Sequence, residues 1–149
     1  MKEAVLFLAI LGVVGQVSAG YDNSCKVKSC KPGDIVKVYS PKGDEAPVCA
    51  TRALHSYVAA VVGLRQIQAR LGAKLSGEEE YKGETKAYVD HLRQEAGVSD
   101  FRQASQACSI GKHNQRVTII EVDPREGQLR VAPVNGNAQF WIWDVSLER

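Results

Sequence analysis

The sequence lacks the features by which many enzymes, nucleic-acid-binding proteins and membrane proteins are recognised. It has no glycine-rich phosphate-binding loop, no G-x-S-x-G nucleophile motif and no C-x-x-C pair. Its 19 basic and 17 acidic residues give a net charge of only +2, without the clustered basic face that phosphate neutralisation requires. Beyond the N-terminus no apolar run is long enough to cross a bilayer. We therefore expect no nucleic-acid partner, no cofactor and no membrane span in the mature chain.

The first nineteen residues predict a secretory signal peptide. Lys2 precedes an apolar run from Ala4 to Val14, and Val17 and Ala19 occupy the positions that a signal peptidase reads. The run is shorter than the roughly 20 residues that a membrane anchor needs. We expect cleavage after Ala19, which leaves residues 20–149 as a single domain in the periplasm or the extracellular space.

The four cysteines form an even set in a chain that we expect to be exported, and disulfides persist outside the cytosol. The predicted pairs are Cys25–Cys30 and Cys49–Cys108, because the first closes a short loop and leaves the two distant thiols for each other. No metal site is expected, because the three histidines show no ligand spacing that would hold a tetrahedral ion.

The hydrophobic pattern changes period twice along the chain. Alternation and β-branched residues predict a strand within residues 33–40, and residues 48–50 can return as a short strand. Steps of three and four then predict three helices. The first runs from Thr51 to Gly72, the second follows a capping box at residues 76–79 and ends at Gly97, and the third spans about 99–108. Alternation resumes in three predicted strands, at residues 116–122, 129–134 and 138–145.

The C-terminal stretch, residues 111–149, resembles the second half of bacterial SH3-like (SH3b) domains. Trp141-Ile142, four residues and then Leu147 reproduce the W-V-x-x-x-x-L spacing of that family, and Gly111-Lys112 resembles the start of its meander. Residues 33–50 look like the opening strand and long loop. The resemblance implies an α+β fold in a bacterial protein, with a small SH3-like β-barrel (33–50 and 111–149), a helical insertion (51–108) and disulfide staples. Cys49–Cys108 would then join the two ends of the insertion.

Trp141 and Trp143 are the leading candidates for ligand binding. In an extended strand the two indoles point to one face while Ile142 points to the other and fills the core. Because large apolar side chains are usually buried, packing of both indoles beneath the helical insertion is favoured. The alternative is an exposed aromatic shelf that includes Tyr39 or Tyr57 and stacks on a peptide or a sugar.

These features predict a non-catalytic binding module for a protein or peptide partner, or for cell-envelope material such as peptidoglycan. Charges in two predicted loops would flank the aromatic surface: Lys42, Asp44, Glu45, Arg125 and Glu126. The alternative is an inhibitor or immunity-type protein that blocks a secreted hydrolase with a rigid loop, since a rigid loop loses little entropy on docking.

A hydrolase that uses a histidine–carboxylate pair is the weaker alternative. Asp90 and His91 are adjacent in the second predicted helix, with Glu95 one turn on, but neighbouring residues on a helix point in different directions. His55 lies near the apolar side of the first helix, as a packed histidine at a core edge does. Since all four cysteines are expected to be oxidised, no thiolate nucleophile remains. We expect no enzymatic activity.

Overall fold

A computed structural model describes residues 21–74 and 77–149, so the predicted signal peptide lies outside the described residues. Within these residues the fold is α+β, with four helices and a seven-stranded antiparallel sheet. In chain order the elements are α1 (Cys25–Lys28), β1 (Ile35–Val38), β2 (Pro47–Cys49), α2 (Arg52–Arg70), a 3₁₀ turn (Glu78–Glu80), α3 (Gly83–Ala96), α4 (Phe101–Gln106), β3 (Cys108–Ile110), β4 (Arg116–Asp123), β5 (Gln128–Pro133), β6 (Phe140–Trp143), a second 3₁₀ turn (Asp144–Ser146) and β7 (Leu147–Glu148).

The strands of the N-terminal part pair with the C-terminal meander. The order across the sheet is β3-β2-β6-β5-β4-β1-β7. β1 pairs with both β4 and β7, and β2 pairs with β6 through Cys49 and Trp141. Two segments that are far apart in sequence therefore form one sheet, with the helices inserted between them.

The sheet curls around one core but does not close. Val48 of β2 and Leu147 of β7 lie near opposite ends of the strand order, yet both belong to one buried cluster. The free side of β2 is taken by β3, and β7 bridges to Ser24 through Glu148. Because both strands are already paired on these sides, they do not pair with each other. The closed barrel that we expected is not confirmed.

The two periodicities of the sequence produce two cores. Within the sheet, alternate residues of the strands point inward and are buried, among them Val117, Ile119, Leu129, Val131 and Ile142. Between the helices, residues at steps of three and four form the second cluster: Leu54, Tyr57, Val58 and Val61 of α2, with Tyr81, Val89, Leu92 and Ala104.

Several predicted helix limits are confirmed. The Thr51 side chain caps α2 by accepting a hydrogen bond from the Leu54 amide, at 3.3 Å. α2 ends at Arg70, two residues before the expected Gly72. α3 ends as predicted at Gly97, whose φ of 67° is the left-handed conformation that glycine adopts without steric cost.

The start of the second predicted helix differs in detail. Ser76 of the predicted capping box lies outside the described residues, residues 78–80 form a 3₁₀ turn, and α3 begins at Gly83. The Glu78 carboxylate is instead bonded to other elements, where it accepts hydrogen bonds from the Tyr57 hydroxyl and the Phe101 amide. The third helix is also shorter than predicted, because Cys108 belongs to β3.

Both predicted disulfides are present, Cys25–Cys30 and Cys49–Cys108. The second joins register partners in β2 and β3, at the point where the chain leaves the sheet and returns to it. Among the residues described, no helix combines the length and the apolar character needed to cross a membrane.

Candidate functional site

Strand β6 separates its side chains as the alternation predicted. Ile142 is fully buried in the sheet core, and the two indoles lie on the opposite face. Trp141 is 8% exposed, and the Arg130 guanidinium lies 6.0 Å from the centre of its ring. Trp143 is only partly buried. The two tryptophans therefore differ in exposure, and Trp143 lines two concave parts of the surface.

Helix α2 supports the Trp143 indole from behind. The His55 ring meets it edge to face, with ring centroids 5.8 Å apart and planes at 83°. One side of the indole also faces Gly63, where an added Cβ would lie 3.5 Å from Cη2. The helical insertion thus covers part of Trp143 and leaves the rest open.

The open part of Trp143 lines a groove of about 670 Å³, which we call the Trp143 groove. Three segments form it: the loop between β1 and β2, the second half of α2, and the 3₁₀ turn after β6. Tyr21 contributes a further, half-exposed ring from the N-terminal segment. The aromatic rings and charged side chains of its lining belong to Tyr21, Tyr39, Asp44, Glu45, Arg70 and Trp143.

The groove carries charge of both signs. Asp44 and Glu45 lie on the loop side and Arg70 on the helix side, and none of them forms a salt bridge with another described residue. Hydrogen bonds from the backbone of Gly43 and of Glu45 itself lower the pKa of the Glu45 carboxyl, so it is ionised at neutral pH. The groove therefore offers unpaired charges beside aromatic rings.

A smaller concavity of about 400 Å³ lies on the other side of Trp143. It is lined by Arg125 and Glu126, as the sequence suggested for charges near the tryptophans, and by Asp144. Burial raises the pKa of the Asp144 carboxyl above its ordinary value. Lys42, the remaining predicted charge, lines neither concavity.

The four candidate binding residues are not all brought together. Tyr39 and Trp143 line the same groove, although 104 positions separate them in sequence. Trp141 is buried and lines no concavity described here. Tyr57 is 0% exposed in the helical core, where its hydroxyl donates to Glu78, and this burial and hydrogen bond raise its pKa. Tyr57 therefore acts within the core and does not reach the groove.

Behind Trp143 lies a buried polar network that connects α2 to β5. His55 Nδ1 is 2.7 Å from Gln128 Oε1, while Gln128 Nε2 donates to Ser56 Oγ and to Glu126, each at 2.7 Å. His55 is 0% exposed, and burial lowers the pKa of its ring. Nε2 has no hydrogen-bond partner of normal geometry among the described residues, although the nearby Pro47 backbone favours a proton on the ring.

The residues considered for hydrolysis on the second predicted helix lie on the surface of α3. His91 and Glu95 are exposed on α3, with His91 Nε2 3.6 Å from Glu95 Oε1. The Asp90 carboxylate is bonded to Lys86 and Arg93, which lower its pKa. Within residues 21–74 and 77–149 no three histidine, cysteine or carboxylate side chains converge as a metal site.

Sequence reasoning missed an aromatic contact behind Tyr39. His113, in the turn before β4, meets Tyr39 edge to face with ring centroids 5.6 Å apart. Its Nδ1 accepts a hydrogen bond from the Ser40 amide at 3.2 Å. Because 73 positions separate Ser40 from His113, no local pattern could have indicated the contact.

Comparison with known proteins gives no relative from which a role could be transferred. No family model, no curated protein and no solved structure matches the chain.

Proposed function

We propose that this chain is an exported, non-catalytic binding protein that holds an extended peptide segment of a protein partner in the Trp143 groove. The observation that carries the proposal is that Tyr39 and Trp143, from opposite ends of the chain, line one groove beside unpaired charges. Aromatic rings supply large, rigid contact area, and flanking charges give orientation and specificity.

The volume and the charges of the groove favour a peptide. Ligand sites commonly enclose roughly 300–1,000 Å³ and are lined by apolar and aromatic groups with a few polar ones, and the groove of about 670 Å³ falls in that range. A peptide can present an apolar side chain to Trp143, a basic group to Asp44 and Glu45, and an acidic group to Arg70. A neutral sugar would use the rings but leave these charges without partners.

Exposed apolar side chains close in sequence to the groove residues also favour a macromolecular partner. Ile67 in the last turn of α2 and Leu71 directly after Arg70 are 56% and 78% exposed. Tyr21 is 49% exposed on the N-terminal segment. Exposed apolar side chains around a concave site are typical of surfaces that a protein partner covers.

An SH3-like ancestry and an extracytoplasmic location are part of the proposal. Support for the ancestry comes from Ile142 and Leu147, the apolar residues of the W-V-x-x-x-x-L-like motif, which are both fully buried in the core of the curled sheet. Support for the location comes from the two disulfides, which persist in the periplasm or outside the cell and are rare in the cytosol.

The proposal is tested by selecting random phage-displayed peptides on the immobilised, oxidised chain and measuring the selected peptide by fluorescence polarisation. We expect Tyr39→Ala and Trp143→Ala each to weaken binding by about thirtyfold, the effect of a residue central to an interface. Tyr88→Ala is the matched control, because Tyr88 is 57% exposed on α3 and lies outside the groove.

A parallel experiment measures retention on purified peptidoglycan. Recovery of groove-dependent peptides supports the proposal. If no peptide is selected, or if Tyr88→Ala reduces binding as much as Trp143→Ala does, the proposal is wrong. Retention on peptidoglycan that depends on Trp143 while peptides fail would assign the groove to a cell-envelope glycan instead.

A further inference from the structure

Two of the three histidines in this chain stand directly behind the aromatic rings of the groove. His55 meets Trp143 edge to face, and His113 meets Tyr39 in the same way, at centroid distances of 5.8 and 5.6 Å. The third, His91, is exposed on α3 and pairs with Glu95. Histidine is the side chain that ordinarily changes charge between pH 5 and 8.

Burial of His55 favours a neutral ring. Gln128 Nε2 donates to Ser56 and Glu126, so Oε1 faces the ring and accepts the proton on His55 Nδ1. Nε2 is then unprotonated and fully buried without a partner of normal geometry among the described residues, although the nearby Pro47 carbonyl favours a second proton. A second proton would place a charge inside the contact between α2 and the sheet, where desolvation opposes it.

The contact of His113 also requires a neutral ring. Its Nδ1 accepts the Ser40 amide, and a doubly protonated imidazole has no lone pair with which to accept. Ser40 follows Tyr39 directly, and its hydroxyl accepts the Ala46 amide at 2.8 Å. Ser40 therefore ties both ends of the loop that carries the acidic groove residues Asp44 and Glu45. Protonation of His113 would release one support of this loop.

We propose that the Trp143 groove is a pH-controlled site, which binds its peptide at neutral pH and releases it on mild acidification because His55 and His113 must be neutral to hold Trp143 and Tyr39 in place. The inference rests on the proposed peptide-binding function. Both histidines are positioning residues, since neither lines the groove.

Other titratable groups near these histidines are few. Around His55 they are Glu126 in the network, the Arg52–Asp123 ion pair on the same turn, Arg125, and Asp144 next to Trp143. Around His113 they are Lys112 in its own turn, Tyr39 in contact with its ring, and Lys42, Asp44 and Glu45 on the loop that begins at Ser40. No described residue forms an ion pair with either histidine, and Asp144, with its raised pKa, is the carboxyl that a control must remove.

The first experiment needs no ligand and uses acrylamide quenching of tryptophan fluorescence. Trp141→Phe in the full oxidised chain leaves Trp143 as the only tryptophan. On lowering the pH from about 7.5 to about 5, we expect the quenching constant to rise by about twofold as the indole loses its support. His55→Asn should abolish this dependence, because its amide can donate to Gln128 Oε1 without titrating. His91→Asn and Asp144→Asn should retain it.

Circular dichroism at both pH values checks that each variant is folded, and His55→Gln provides a second non-titrating side chain should His55→Asn fail to fold. If Trp143 quenching does not change with pH in the folded parent, or changes equally in His55→Asn, the inference is overturned. The support of Tyr39 by His113 is tested with His113→Asn, whose side-chain oxygen still accepts the Ser40 amide but does not titrate. This variant is used in the binding experiment below.

The second experiment measures the peptide selected on the groove at the same two pH values. We expect affinity to fall by about tenfold in the acid, the change that one pKa unit of linked protonation produces. The double variant His55→Asn/His113→Asn should bind with similar affinity at both. Equal parent affinity at both pH values would overturn pH control while leaving the proposed function intact. A pH-dependent Trp143 in a chain that binds no peptide would refute the proposed function alone.

Discussion

Cys49 and Cys108 are directly opposite each other in neighbouring antiparallel strands, and they are bonded through their sulfurs with the Cα atoms 4.5 Å apart. Residues 50–107, which include α2, α3 and α4, lie between them in sequence. The bridge therefore closes the base of the helical insertion. It also fixes β3 against β2, and β2 in turn pairs with β6, the strand that carries Trp143.

Removing this bridge should destabilise the fold more than removing the other one. The sequence separations are 59 and 5 residues, and in the chain-entropy model the bridges contribute about 4 and about 2 kcal/mol. We expect Cys49→Ser/Cys108→Ser to lower the free energy of unfolding, measured in urea, by about twice as much as Cys25→Ser/Cys30→Ser. Equal losses would contradict the assignment of the longer bridge as the main constraint.

Tyr57 should be important for stability and unimportant for binding. Its hydroxyl donates to the Glu78 carboxylate, which also accepts the Phe101 amide and lies 3.7 Å from Arg93. Because the bond is to a charged group, Tyr57→Phe should cost about 1.5–3 kcal/mol of unfolding free energy. Tyr88→Phe, at an exposed position, should cost almost nothing. If Tyr57→Phe costs as little unfolding free energy as Tyr88→Phe, the Tyr57 hydroxyl is not needed. A coupling free energy of zero between Tyr57→Phe and Glu78→Gln in a double-mutant cycle would show the same.

Replacement of a glycine by alanine should change the melting temperature in opposite directions at two positions, Gly63 and Gly111. Gly63 is inside α2, where glycine costs about 0.5–1 kcal/mol relative to alanine, and a Cβ would meet Trp143 at an ordinary 3.5 Å. Gly63→Ala should therefore raise the melting temperature. At Gly111 a Cβ would lie 3.0 Å from Val38 Cγ1 and 3.4 Å from the Ala46 carbonyl oxygen, so Gly111→Ala should lower it. A lower melting temperature for both would mean that Trp143 does not tolerate the added methyl group.

His55 should make the stability of the whole fold depend on pH. Burial lowers its pKa in the folded state, whereas the unfolded chain has an ordinary value of about 6.5. Below about pH 6.5 the unfolded chain binds a proton that the folded chain resists, so the free energy of unfolding is highest above that pH and falls as the pH decreases towards the folded-state pKa.

The slope from one such histidine is at most about 1.4 kcal/mol per pH unit. We expect His55→Asn to remove this slope in urea titrations between about pH 7.5 and about pH 5, and His91→Asn to keep it. Asp144 has a raised pKa, so its protonation favours the folded state as pH falls and acts in the opposite direction. The comparison is therefore also made in an Asp144→Asn background. An unchanged slope in His55→Asn would show that the buried ring is not its source.

Local patterns anticipated much of this architecture. Alternation placed Ile142 in the sheet core and the indoles on the other face, and steps of three and four located the buried stripe of α2. Strand β3 and the two-residue strand β7 were not predicted. Segments this short carry too few residues for a period to show, and they exist because partner strands β2 and β1 are in place.

The site was harder to predict than the fold. The sequence singled out both tryptophans, but only the tertiary structure buries Trp141 and places Trp143 in the groove. Tyr57 was also a candidate for ligand binding, but the tertiary structure places it in the protein interior. Its ring follows the apolar stripe of α2 into the helical core, where Glu78 binds its hydroxyl.

The order of the longer elements and the inward face of β6 were determined by the sequence itself, because periodicity and capping residues act over a few neighbouring positions. Cysteine parity limited the disulfides to three possible pairings, of which the structure contains the predicted one. The open sheet, the meeting of Tyr39 with Trp143 and the two histidines behind them were decided only by the tertiary structure. These contacts join positions more than seventy residues apart, and their geometry depends on how α2 and the β1–β2 loop pack against the sheet.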